Sequence, residues 1–176
     1  MSRPHVQQVP RLEVATIIER AKPQDVDLIK QVLSETWLDT YAPYLSRSTI
    51  DHVTTHWHDP QLLRMQIEKA GDYFAVAREG AEIVGLITVI VVTPEELYLQ
   101  RLYIHPRHQR QGIGTALLSA AIAEYPAATT IRLEVEQRNA KGLSYWRKQH
   151  FVEVATRSER ISTESMQVVV MERRLR

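Results

Sequence analysis

The segment Gln109-Arg110-Gln111-Gly112-Ile113-Gly114 joins a strand-like stretch ending at Ile104 to a run whose apolar positions Leu117, Leu118, Ala121 and Ile122 form one helical stripe. A chain that turns from strand into helix through such a loop is built for close backbone approach. The first turn of a helix has unpaired N–H groups and a partial positive charge, together an anion site. Gly112 and Gly114 remove the Cβ atoms that would hold a ligand off the backbone, and Arg110 adds a cation. The loop therefore suits a phosphate or pyrophosphate, or else is a helix entry that needs glycine only for packing. Two familiar phosphate loops are excluded. Ile113-Gly114-Thr115 stands where a nucleotide-hydrolase loop needs Gly-Lys-Ser/Thr, and the dinucleotide fingerprint needs a third glycine.

Around this loop the hydrophobic period alternates between strand and helix. Residues Leu12 to Glu19 read as a first strand, and Pro23 opens a helix carrying Asp25 and Asp27 near its positive end. Val26, Ile29, Val32, Leu33 and Trp37 give that helix its apolar stripe, and Pro43 ends it. Helical stretches follow at about Ser46 to His58 and Pro60 to Ala70. Strands are then expected at Tyr73 to Arg78, Glu82 to Val92 and Glu95 to Ile104. After the loop come a helix from about Gly112 to Tyr125, a strand Thr129 to Glu136 and a helix Asn139 to Gln149. Strands Val152 to Ile161 and Met166 to Leu175 finish the chain. This order predicts an α/β fold with a mixed sheet.

Bulk properties narrow the function classes. The chain has 176 residues, 44% hydrophobic and 24% charged, which suits one ordinary globular domain over residues 12–176 behind a flexible lead-in, 1–11. A net charge of +1 argues against nucleic acid as a partner. With no cysteine there can be no disulfide, thiolate metal site or cysteine nucleophile. The longest apolar run, Ile83 to Val92, is too short to span a membrane. These features predict a cytoplasmic protein that uses neither membrane nor metal.

The stretch Leu102-Tyr-Ile-His-Pro-Arg-His-Gln-Arg-Gln-Gly-Ile-Gly-Thr-Ala-Leu-Leu118 resembles the central motif of the GNAT N-acetyltransferases, Gln/Arg-x-x-Gly-x-Gly/Ala. The resemblance extends from about Ile18 to the C-terminus and takes in Arg20-Ala21-x-x-x-Asp25 and Ile83-Val84-Gly85. Trp37-x-x-x-Tyr41 and Leu99-Gln-Arg-Leu-Tyr-Ile104 are similar to a bacterial branch that includes polyamine acetyltransferases of the PaiA type. The resemblance implies a mixed central sheet of about seven strands flanked by about four helices, with acetyl-CoA as co-substrate.

Carried over residue by residue, it implies that Leu102, Tyr103 and Ile104 pair with the pantetheine arm. Gln109, Arg110, Gln111, Gly112, Ile113, Gly114 and Thr115 would wrap the pyrophosphate, and Ile131 to Glu136 would form the second of two splayed strands. A backbone N–H near Leu102 or Tyr103 would stabilise the oxyanion. The acceptor, a polyamine-like molecule or a peptide amine, must lose a proton. Glu134 is the carboxylate selected for that task, with Glu136 and Glu96 as further candidates.

The family's second pattern, Asn-x-x-Ala-x-x-Phe-Tyr-x-x-x-Gly-Phe, is matched with departures. Asn139 and Phe151 fit, whereas Gly142, Tyr145, Trp146 and His150 replace Ala, Phe, Tyr and Gly. Asn139 and Trp146 are expected to contact the cofactor. The general acid is then either Tyr145, after a helix rotation of about 100°, or absent, the thiolate leaving unassisted. The second is preferred, because a thiol titrates at about 8.5.

Trp37, Tyr41 and Tyr44 would line the acceptor pocket, where aromatic faces suit a cationic amine; the alternative for Trp37 is plain core packing. Glu35 and Asp39 flank it. His52 and His56 have zinc-compatible spacing but no third ligand in sequence, and read as a solvated helix face. His105 and His108 bracket the loop approach, and Arg173, Arg174 and Arg176 form a basic end. A homodimer is a further expectation from the resemblance. An acetyl-CoA-binding module without turnover is the alternative to an enzyme.

Overall fold

The computed structural model describes residues 15–176. The expected lead-in and residues 12–14 of the first expected strand lie outside these. Within them, β1 runs Thr16–Arg20, α1 Val26–Tyr41, α2 Arg47–His56 and α3 Pro60–Glu68. Next come β2 Tyr73–Glu79, β3 Glu82–Val91, β4 Glu96–Ile104 and α4 Ile113–Glu124. The chain closes with β5 Thr130–Glu136, α5 Ala140–Lys148, β6 Val152–Ile161 and β7 Glu164–Arg174. There are thus five α-helices among the described residues, at the five places where the sequence pattern predicts them. None of them is long and apolar enough to cross a membrane.

The strands form one seven-stranded sheet in the order β1-β2-β3-β4-β5-β7-β6. Only β4 and β5 pair in parallel. Between them α4 makes the crossover, packing Ile113, Leu117, Leu118 and Ala121 on one face of the sheet. On the other face α1 buries Val26, Ile29, Val32 and Leu33 against Phe74, Val76 and Leu86. The two stripes lie on opposite sides of one sheet, which sets the α4 side apart from the α1–α3 side.

Local chemistry explains several boundaries. Ser46 and Asp59 cap α2 and α3 with their side chains, and Pro60 takes the first position of α3. Asp25 does more than face a helix dipole. It is buried, accepts from the Lys22 N–H at 2.9 Å and pairs with Arg78 on β2 at 2.8 Å. The last strand begins at Glu164, two residues ahead of Met166. Ile161 pairs with Glu164 across a two-residue turn, and Ser162 takes the left-handed conformation (φ 53) that such a turn favours.

Candidate active site

Two parallel strands that would ordinarily zip together do not. β4 and β5 pair only at Glu96–Thr130, Leu97–Ile131 and Tyr98–Arg132. A bulge opens them. On the β3 side the register steps from Thr88–Arg101 to Val89–Leu99, so Gln100 has no partner. An extra residue bends a strand and reverses which residues face which side. Leu97 and Leu99 face the α4 side, and beyond the bulge Leu102 and Ile104 do so in their place. Arg101 and Tyr103 are thereby turned to the α1–α3 side. Past Tyr98 the edge of β4 and the facing edge of β5 carry unpaired backbone groups, and the wedge between them widens toward the start of α4.

At that wide end the glycine loop folds back on β4, with Gln109 Nε2 donating to the Ile104 carbonyl at 3.1 Å. Arg110 (φ 62) and Gly112 (φ 83) are both left-handed. Alternation of this kind gathers backbone N–H groups into an anion-binding concavity. The first helical bond of α4 runs from the Ala116 N–H to the Gly112 carbonyl, at 3.0 Å, and no side chain among the described residues caps the helix. The N–H groups of Ile113, Gly114 and Thr115 have no partner among the described residues and remain available to an anion.

Gly114 has a second role. A Cβ there would lie 3.2 Å from the Tyr145 hydroxyl and 3.6 Å from its ring. The tyrosine thus reaches α4 only because position 114 lacks a side chain. Its hydroxyl is sealed from solvent and has no hydrogen-bond partner among the described residues. Burial raises its pKa, and the neighbouring Thr115 side chain offsets part of the rise. Trp146, next in sequence, points into the core: it is 7% exposed and packs edge-on against Phe151 and Tyr145. Asn139 folds over its own helix, accepting from the Gly142 N–H at 2.9 Å. A Cβ on residue 142 would meet the Asn139 side chain at 2.8 Å, so glycine permits that fold-over.

Across the sheet, on the α1–α3 side, lies a cavity of about 320 Å³. Trp37 and Tyr41 of α1 stack at 4.3 Å along its wall, and the Trp37 indole N–H donates to the Tyr103 hydroxyl at 3.1 Å. Burial pushes the phenol of Tyr41 well up, helped by the nearby Tyr103 and Glu136. Glu134 and Glu136 enter from β5 and Glu159 from β6. Both Glu134 oxygens are held by Arg157, at 2.7 and 2.9 Å. Glu136, 2% exposed, accepts from the backbone and side chain of Arg138 at 2.6 and 2.7 Å. Tyr103 on one strand and Glu134 and Glu136 on the other flank the wedge, so cavity and wedge meet.

A parallel pair spread by a bulge, ending on an uncapped glycine-rich helix start, is the arrangement with which the chain can be compared. The acetyltransferase (GNAT) family model matches residues 29–151, more than half of the chain. The chain belongs to this family. It is an acetyl-CoA-dependent N-acetyltransferase. Among curated relatives, a protein of Mycobacterium tuberculosis described as a probable N-acetyltransferase is 23% identical over 138 residues, 76% of this chain and 78% of the relative. The PaiA N-acetyltransferase of Thermoplasma acidophilum, solved with coenzyme A, superposes with a TM-score of 0.76 at 22% identity. That alignment covers 91% of this chain and 99% of the other. An acetyltransferase of Salmonella typhimurium solved with acetyl-CoA gives 0.65 at 21% identity, covering 92% and 95%. At these identities the likeness of structures establishes the fold.

The sequence-predicted residues of this acetyltransferase fall into three places. Leu102, Tyr103, Ile104 and the loop from Gln109 to Thr115 border the wedge. Tyr145 reaches it, while Trp146 and the Asn139 carboxamide oxygen are engaged within the protein. Trp37, Tyr41, Glu134 and Glu136 gather in the cavity. Glu96 stands at the closed end of the splay, paired with Thr130, away from the others. His52 and His56 stack at 4.2 Å, and no cluster of three metal-type ligands includes them among the described residues. His105 instead pairs with Glu35 at 2.7 Å, tying the loop approach to α1. Sequence reading did not place the charged and titratable residues His58, Arg101 and Glu159 at the cavity. The step from Leu99 to Leu102 breaks the two-residue alternation and is the signal that could have exposed Arg101.

Proposed function

We propose that this acetyltransferase moves the acetyl group of acetyl-CoA to a primary amine by direct attack in a ternary complex. The observation that carries the reading is a cavity lined by carboxylates and aromatic faces that meets the β4–β5 wedge from the opposite side of the sheet. Carboxylates and ring faces attract an ammonium group. Acetyl-CoA supplies an activated thioester. The open backbone groups of Leu102, Tyr103 and Ile104 suit its pantetheine amides, and the free N–H groups of residues 113–115, with Arg110, suit its pyrophosphate.

An alkyl ammonium titrates at about 10.4, so the acceptor must give up a proton. Glu134 is our choice of proton acceptor, directly or through water. Arg157 fixes its orientation and leaves it partly open to the cavity, whereas the oxygens of Glu136 are committed to Arg138 inside the protein. Tyr145 is the residue we assign to the cofactor on the α4 side. Its hydroxyl, packed on the first turn of α4 and without a partner among the described residues, is a donor that cofactor binding would uncover. Its raised pKa makes it a poor proton source for a thiolate of pKa about 8.5. The hydroxyl therefore donates a hydrogen bond, and the departing thiolate takes its proton from water. We place the acceptor region beside the PaiA-like branch on the aromatic pair Trp37 and Tyr41, without taking over that branch's polyamine acceptor.

Steady-state release of free CoA against a panel of primary amines tests this reading. Amine-dependent release supports it. Tight acetyl-CoA binding without release on any amine would make the chain a binding module instead.

A further inference from the structure

The charges around the acceptor cavity do not fit a simple polycation. Three carboxylates face it, but Arg157 pairs with Glu134 and Glu159, and Arg138 with Glu136. A third arginine, Arg101, lines the cavity floor from β4. Counting these six groups, the charges cancel. A polyamine with several ammonium groups would find no net attraction there.

Arg101 is the unusual member. It is 8% exposed, yet no carboxylate lies within ion-pairing distance of it among the described residues. Its Nη1 donates to the side-chain carbonyl oxygens of Gln66 and Gln100, each at 2.9 Å. Nε and Nη2, which share one edge of the guanidinium plane, have no protein acceptor among the described residues. That edge is the one that meets a carboxylate through two parallel hydrogen bonds. Buried charges in native proteins are paired, because an unpaired one is costly to desolvate. His58 lines the same floor at 2% exposure, and the charges that bear on it are the two cations Arg101 and Lys30. This end of the cavity is electropositive, while Glu134 and Glu159 stand on its β5–β6 side.

We propose that the acceptor carries a carboxylate as well as its amine, and that the free edge of Arg101 binds that carboxylate. The substrate class is then a free amino acid or a similar small amino-carboxylate, not a polyamine. This rests on the amine-acetylating reading above and narrows it. Nothing covalent is added: the amine still attacks the thioester, and the carboxylate only sets the acceptor's orientation.

Matched pairs of amines test it: lysine against cadaverine and ornithine against putrescine, each differing by one carboxylate, with lysine methyl ester as a neutralised control. The expected result is a kcat/KM for the amino acid roughly 10- to 100-fold above that of its partner, carried mainly by KM. The ester should fall to the level of cadaverine. Arg101→Gln should remove the advantage of the amino acid, and Arg101→Lys should restore part of it, since a point charge lacks the fork. The wild-type pairs and the ester decide the matter even if the variants fold poorly. Diamines or the ester turning over as well as the amino acids would overturn this inference and leave amine acetylation standing. No acetylation of any amine would overturn both.

Discussion

The hydroxyl of Tyr145 lies over Gly114, 3.2 Å from the point a Cβ on that glycine would occupy. One contact thus joins α5 to the first turn of α4, where the cofactor's phosphates are expected. Gly114→Ala forces the ring or the helix start to shift. We expect about a tenfold loss of CoA affinity, and a smaller loss when the same change is made in Tyr145→Phe, where the nearest ring atom is 3.6 Å away. Titration calorimetry on the four proteins reads the coupling; strictly additive losses would show that the contact is idle.

Where the family carries glycine after its last core helix, this chain has His150, and it adopts φ 64. The Phe151 N–H bonds the Trp146 carbonyl and the His150 N–H bonds that of Arg147, both at 3.0 Å, which closes the helix in a Schellman motif. A side chain in that conformation is strained. His150→Gly should stabilise the fold by about 1 kcal/mol, raising Tm by roughly 2–4 °C. An unchanged or lower Tm in a thermal melt would refute the strain.

His58 should make the protein acid-sensitive. Burial, with Arg101 and Lys30 nearby, lowers its pKa from 6.5 to about 3. Between these values the unfolded chain takes up a proton that the fold refuses, so stability falls as pH drops from 6.5 toward 3 and is retained above 6.5. The slope from this group is at most about 1.4 kcal/mol per pH unit. Denaturant melts at several pH values should show a shallower slope in His58→Gln than in the wild type.

Glu134→Gln tests the proton acceptor. The substitution keeps the shape and removes the basic oxygen, so kcat/KM for the acceptor should fall by about 10²- to 10⁴-fold near neutral pH. The deficit should shrink as pH climbs toward the amine's own pKa of about 10.4, where free amine no longer needs a base. A pH-independent deficit would assign Glu134 to binding alone, alongside Arg157.

Much of the architecture is legible in the sequence because its signals are local. Period-2 runs bounded by Glu79-Gly80 and Pro94 delimit β2 to β4, and the apolar stripe Leu117, Leu118, Ala121 defines α4. The site is less so, since its features depend on distant partners. Nothing near Gln100 announces that β4 and β5 part company, although the three-residue step from Leu99 to Leu102 records the bulge. Gly114 looks like a cofactor glycine and is also a tyrosine's landing place. Trp146 reads as a cofactor contact by motif alignment, and its ring lies among core residues. His58 and Arg101 come together only after α2 and α3 pack beside α1, which no periodicity reveals.

Acetyl-CoA seated along the β4–β5 wedge should give its acetyl group to an amine entering from the α1–α3 side. Mass-spectrometric measurement of N-acetylated product, alongside free CoA released in the same reaction, across diamines and small amino acids as acceptors, checks this transfer. One acetylated amine should form per CoA released, both vanishing when the amine is omitted. CoA release that is independent of amine, or acetyl-CoA binding with no acetylated product, would contradict it.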